Sequence, residues 1–167
     1  MSCLKHITDK LYSHKDLPPE HYIRDLLAYC KLICEQVYPV NSVILFGSLV
    51  KGSFKKELSD IDLLVVFDNL PKTYHDRIVF KRENLSHRPS GIQAHWFTKQ
   101  EISDNFEGRA GFILDALLEG WFLLDKEDYV INFKNKLLEM IEARKIIKEK
   151  NNWAWPMPNN ELQVIDL

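Results

Sequence analysis

LFGSLVKGSFKKELSDIDLLVVF, residues Leu45 to Phe67, decides the fold. It sets a glycine-serine pair, a second glycine and two aspartates one residue apart between runs that are strongly apolar. A charged side chain is costly to desolvate unless something pairs with it, so acids inside a strand require a partner. SVILFGS, residues 42–48, reads as a short buried strand ending in glycine, and SDIDLLVVF, residues 59–67, as a second. Between them, Leu49 to about Lys56 reads as a short helix or turn.

On that second strand Asp60 and Asp62 leave the same face, with α-carbons roughly 6.5 to 7 Å apart. Both carboxylates can then reach one cation. Magnesium takes hard oxygen ligands and completes its shell with water and substrate phosphates, which suits such a pair. The plainer reading has Asp60 capping a turn with Ser59 and Asp62 facing solvent. Two features favour the metal: IDLLVVF is apolar on both faces, as in a covered sheet, and a phosphate-type turn precedes the acids. That turn is Gly47-Ser48. A strand ending there and leading into a helix offers backbone N–H groups to a phosphate with no β-carbon in the way, and Ser48 adds a hydroxyl donor. It is neither Gly-x-x-x-x-Gly-Lys-Ser/Thr nor Gly-x-Gly-x-x-Gly.

Outward from this stretch, LPPEHYIRDLLAYCKLICEQVYP, residues 17–39, gives a clear helix signal. Pro18 and Pro19 sit at or before its first turn, and Ile23, Leu26, Leu27, Cys30, Ile33, Cys34 and Val37 recur at helical spacing before Pro39 closes it. The preceding residues are weakly patterned and fray or pack as a short helix. Lys72 to about Asn84 looks helical, and HRPSG, residues 87–91, is loop. IQAHWFT, residues 92–98, is a third strand, with Gln93 and His95 on one side and Ala94 and Phe97 near the other.

From Lys99 the pattern turns helical through RAGFILDALLEGWFLLD, residues 109–125, with an interruption near Gly120. It resumes from about Asp128 to Lys150, with Ile131, Leu137, Leu138 and Ile141 toward the core. The expected organisation is a single domain over residues 1–150, with an N-terminal helix and C-terminal helices, followed by a tail over 151–167. The tail has no clear period. Trp153 and Trp155 are candidates to anchor it on the domain or on a second subunit, which would make a homo-oligomer.

The chain's 167 residues suit one domain with a proper core. Hydrophobic residues at 46% and charged residues at 28% exclude wholesale disorder. Twenty-two basic against 24 acidic residues give a formal charge of -2, so no broad positive field draws the chain onto nucleic acid. Charges break every apolar run before bilayer length, and no basic-then-apolar leader opens the sequence, so no membrane association is expected and the cytoplasm is the default. Cys3, Cys30 and Cys34 are odd in number, and the last two lie one helical turn apart among apolar residues, which predicts buried thiols.

Gly47-Ser48, Gly52 and Ser59-Asp60-Ile61-Asp62-Leu63 stand in the order strand, Gly-Ser, helix, Ser-Asp-x-Asp strand. In that order they resemble the signature of the DNA polymerase beta-like nucleotidyltransferase superfamily, in particular its minimal nucleotidyltransferases. The motif covers Val43 to Phe67, and a looser likeness extends to about Lys126. The resemblance implies an α/β fold of the α+β type, a mixed β-sheet flanked by helices. It implies two magnesium ions (Mg2+) between carboxylates and a nucleoside triphosphate, most often ATP, and transfer of the monophosphate, AMP, to a hydroxyl acceptor. It also implies a partner of the helical toxin type.

Carried onto this sequence, the resemblance makes Asp60 and Asp62 the catalytic metal ligands and places Gly47, Ser48, Ser59 and Gln93 at the nucleotide. A third carboxylate normally stands on the next strand. Aligning that strand onto GIQAHWFTKQEI, residues 91–102, puts Gln93 in the acid's place and His95 two positions on, on the same face. The phosphate-side ion keeps its ligands, whereas the activating ion loses a charge and a base. His95, with an ordinary pKa near ~6.5, either replaces that base or is a polar residue packed on the strand of Trp96. The alternative function is a nucleotide-binding or partner-binding module that keeps the fold without transferring.

Overall fold

The structure is a computed structural model that describes residues 2–36, 38–53, 59–150, 152–156 and 162–166. Its centre is set by two strands that are buried on both faces, β1 (Val40–Phe46) and β2 (Ile61–Phe67). Such strands must be covered on both sides. They pair antiparallel, with Leu45 opposite Leu63 and Phe46 opposite Asp62. β2 runs parallel to β3 (Ile92–Thr98), with Asp62 opposite Gln93 and Leu64 opposite His95. The connection between these parallel strands carries α3 (Tyr74–Asn84), capped by the Thr73 side chain. β4 (Trp121–Asp125) pairs antiparallel with the other edge of β1, so the strand order is β3-β2-β1-β4. This is the mixed, helix-flanked sheet that the resemblance implies.

Alternation along the strands sends side chains into two layers. Val43, Leu45, Leu63, Val65 and Phe67 pack with α1 (Cys3–Leu11) and α2 (Glu20–Cys34). Ile44, Leu64 and Val66 pack with α4 (Lys99–Glu107), α5 (Gly111–Glu119) and α6 (Tyr129–Glu142). Phe97 belongs to this second layer, 6.0 Å from Phe112 between ring centroids, so it shares the face of His95 and not that of Ala94. The strand alternates strictly, and an even spacing from Gln93 keeps Phe97 on the same side.

The weakly patterned N-terminus takes the helical of its two readings, capped by Ser2 and burying Ile7 and Leu11. Other elements differ from the sequence pattern. The apolar run 109–125 is helical only to Glu119. Gly120 is extended, and Trp121–Asp125 is the fourth strand of the sheet. A short apolar run has no period that separates strand from helix, which is why the strand was not legible. α6 stops at Glu142, burying Val130 and Leu137 while Leu138 stays exposed.

Beyond α6, β5 (Ile147–Lys148), β6 (Asn152–Pro156) and β7 (Leu162–Asp166) form a small antiparallel sheet. Trp153 is fully buried, and its indole N–H donates to Asp115 Oδ1 at 3.0 Å. Lys148 Nζ donates to the same oxygen. The segment without a period is thus anchored on α5 of its own chain.

Only one cysteine is the buried thiol expected of all three. Cys30 is free, and burial pushes its thiol up to about 12. Cys3 and Cys34 form a disulfide that ties α1 to the end of α2, with α-carbons 6.0 Å apart. Helical spacing places Cys30 and Cys34 on one face but is silent on which other helix packs there. Disulfides persist mainly in oxidising surroundings, so the cytoplasmic default gains no support from this pair. No helix among the described residues is long and apolar enough to cross a membrane.

Candidate active site

β1 ends in a turn that only glycine enters without strain. Gly47 has φ +78, in the left-handed region, and a β-carbon there would lie on the Asp62 carboxylate, 2.2 Å from Oδ2. The glycine of the turn and the acid of the next strand are therefore in direct contact. The turn closes with Lys51 N–H donating to Gly47 O at 3.2 Å and Ser53 N–H donating to Ser48 O at 3.1 Å. It is a turn as far as Gly52, and residues 54–58, with Lys55 and Lys56, lie outside the described residues. Lys51 is exposed and ion-paired. Its Nζ meets Glu119 Oε2 at 2.7 Å, from the C-terminal end of α5.

Asp62 sits near the start of β2, half-buried, flanked by Phe46 on one side and Gln93 on the other. Burial raises its carboxyl above the usual range, and the Asp60 charge raises it further. Asp60 itself precedes β2 and is exposed, so strand alternation positions Asp62 and not Asp60. It lies beside the turn that enters β3, where Gly91 accepts a hydrogen bond from Ile61 N–H at 2.7 Å. Asp60 and the half-buried Ser59 also line a cavity of about 400 Å³ shared with His21, Tyr22 and Asp25 of α2.

Gln93 is exposed in register with Asp62. His95 is half-buried, with ring centroids 5.4 Å from Phe112 and 6.3 Å from Phe46. Burial, and secondarily the Lys81 ammonium, hold its pKa below the ordinary value, so the imidazole is neutral at neutral pH. That state can accept a proton, while the aromatic neighbours give the ring a packing role as well.

The donor set fits a hard divalent cation at the acids. Two carboxylates whose charges oppose each other are relieved by a positive ion, and both supply oxygen. A second ion would have only the neutral amide oxygen of Gln93 as its additional ligand. Among the described residues no group of three or more His, Cys, Asp or Glu is gathered for a metal. Sequence reasoning missed the Lys51–Glu119 pair and the role of Gly91, because both depend on contacts between segments distant in the chain.

Fold and site together define an α/β domain with a glycine turn set against a carboxylate at one end of its sheet. The chain belongs to the nucleotidyltransferase domain family, whose model matches residues 27–152. That span runs from α2 through the four-stranded sheet to the first residue of β6. Nucleotidyl transfer is thus its class of reaction. Among solved structures, one described as a toxin-antitoxin with AMP-PNP is 17% identical, covering 70% of this chain and 86% of that chain, with a TM-score of 0.47. A second, a mutant of the toxin-antitoxin MntA-HpeT, is 15% identical, covering 69% of this chain and 84% of that chain, with a TM-score of 0.45. No curated protein matches this sequence.

Proposed function

We propose that this protein transfers AMP from ATP to a hydroxyl acceptor in a magnesium-dependent reaction, in which the acceptor oxygen bonds the α-phosphorus as the α–β phosphoanhydride bond breaks and pyrophosphate leaves. The contact between Gly47 and the Asp62 carboxylate carries the reading, because it sets an anion-accepting turn directly against a cation-holding acid. In this scheme Asp60 and Asp62 hold the ion. When bound, magnesium would supply charge neutralisation on the triphosphate and a lowered pKa for a bound hydroxyl. Backbone N–H groups of the turn and the Ser48 hydroxyl donate to phosphate oxygens, with Ser59 beside them. Gln93 offers its amide to the nucleotide, and neutral His95 takes the acceptor's proton. The acceptor we favour is a hydroxyl on a partner protein of the helical toxin type that the resemblance implies.

A second reading keeps the fold without transfer. The observation that favours it is Gln93 opposite Asp62, where a third carboxylate would otherwise help hold the activating ion and take the acceptor's proton. Incubating the protein with magnesium and ATP labelled at the α-phosphate, alone and with lysate proteins, separates the two. Label transfer that Asp62→Asn abolishes supports the transferase. ATP binding with no labelled product supports a nucleotide-binding module, and failure to bind ATP sinks the transferase and leaves a partner-binding module.

A further inference from the structure

β3 is the open edge of the sheet, and between it and α3 lies a cavity of about 570 Å³. Its wall carries three basic side chains, Lys72, Arg77 and Lys81, and among the described residues a single acid, Glu101. That acid is already taken. Arg77 grips it through both terminal nitrogens, at 3.0 and 2.9 Å, while the Thr98 backbone N–H donates to it at 2.8 Å. Arg77 is further pinned by its Nε on Pro71 O at 2.7 Å. The two charges cancel and leave nothing for Lys81.

Lys81 is half-buried, its Nζ 4.5 Å from the centroid of the Trp96 ring, with a long 3.4 Å hydrogen bond to Ala94 O. Among the described residues no carboxylate pairs with it. Its charged neighbours are Arg88 and Arg77, both cations, and the neutral His95 ring lies on the same cavity wall. Burial first, then Arg88 and Arg77, lower its pKa to about 8. A half-buried ammonium among like charges is an unfavourable arrangement that an incoming anion would relieve.

We propose that the cavity between α3 and β3 binds a carboxylate or phosphate group, seated on Lys81 with an apolar portion against Ile78 and Trp96, while Arg88 adds positive charge from the neighbouring cavity that Lys81 also lines. Neither Asp60 nor Asp62 lines this cavity, which touches the candidate active site through His95. It holds whether or not the protein transfers AMP.

The test uses the intact protein without nucleotide or metal. Lysines are acetylated with limiting reagent at pH 8, and modification at each site is read by mass spectrometry in chloride, inorganic phosphate or succinate at matched ionic strength. An anion that raises the Lys81 pKa by one unit lowers its neutral fraction, and its acetylation rate, about fivefold. Saturable protection of Lys81 relative to exposed Lys5 and Lys10 is the expected result. Protection by phosphate alone assigns a phosphorylated ligand, by succinate alone a carboxylate, and by both a site for the shared anionic group. Arg88→Ala should weaken the protection. Equal rates in all three salts, or protection spread evenly over Lys5, Lys10 and Lys81, would overturn the proposal.

Discussion

Replacing Gly47 by alanine tests the one contact on which the candidate site depends. The substitution has two separable costs. The first is backbone strain: at φ +78 a β-carbon meets its own chain, which costs ~1–2 kcal/mol. The second is the clash with Asp62 Oδ2, 2.2 Å from the new carbon. Ordinary contact distances are about 3.5 Å, so the carboxylate must retreat by roughly 1 Å. A displacement of that size in a reacting constellation costs about a hundredfold in rate. Gly52→Ala supplies the control. Its φ is +66, so it bears the same backbone strain, but beyond its chain neighbours no atom of the described residues lies within 4 Å of its β-carbon.

Melting temperature and magnesium-dependent ATP affinity, measured by calorimetry, resolve the two costs. Both variants should melt lower by about 2–8 °C from strain alone, at about 2–4 °C per kcal/mol for a chain of this size. Gly47→Ala should fall further and also lose affinity and transfer, which Gly52→Ala retains. Adding Asp62→Ala to Gly47→Ala removes the clash, so the double variant should recover stability relative to Gly47→Ala alone. Equal melting points and equal affinities for the two glycine variants would refute the claim that Asp62 is positioned against the turn.

The disulfide, the end of α5 and the His95 ring give further tests. Cys3→Ser opens a loop with a sequence separation of 31 and should cost about 3–4 kcal/mol, read by denaturant unfolding with and without reductant. Reductant should lower the stability of the parent protein and leave the variant unchanged. Gly120→Ala would place a carbon 2.3 Å from Ala116 O and 2.4 Å from Ile44 Cγ2, an overpacking that costs about 1–3 kcal/mol and lowers the melting point accordingly. Burial and then Lys81 depress the His95 pKa in the fold, so below pH 6.5 the unfolded chain binds the proton first. Stability should therefore fall as pH drops from 6.5 through the lower folded value, and His95→Gln should flatten that part of a melting-temperature profile.

Strand order and site were legible to different degrees for a physical reason. β1, β2 and β3 could be read because each is bounded by turn residues and carries β-rich apolar residues within one short window. β4 could not, since WFLLD follows a helix of similar hydrophobicity and becomes a strand only because Gly120 lets it turn onto the free edge of β1. The small C-terminal sheet was equally hidden. Its anchor joins Trp153 to Asp115, 38 residues away, and no local pattern announces such a pairing.

The acids show the same division within two positions. Asp62 is placed by register, between Phe46 and Gln93, and alternation along an apolar strand predicts that placement. The same rule applied to Asp60 assumed that the strand already runs there, but the ladder begins at Ile61. A side chain outside the ladder is positioned by its loop and not by the pleat, which is why Asp60 shares a cavity with residues of α2 while Asp62 lies against Gly47. The acids still lie near each other, since the Asp60 charge adds to burial in raising the Asp62 carboxyl. The spacing of two acids thus measures how near their charges come, while the start of the hydrogen-bonded ladder decides which of them the sheet itself holds in place.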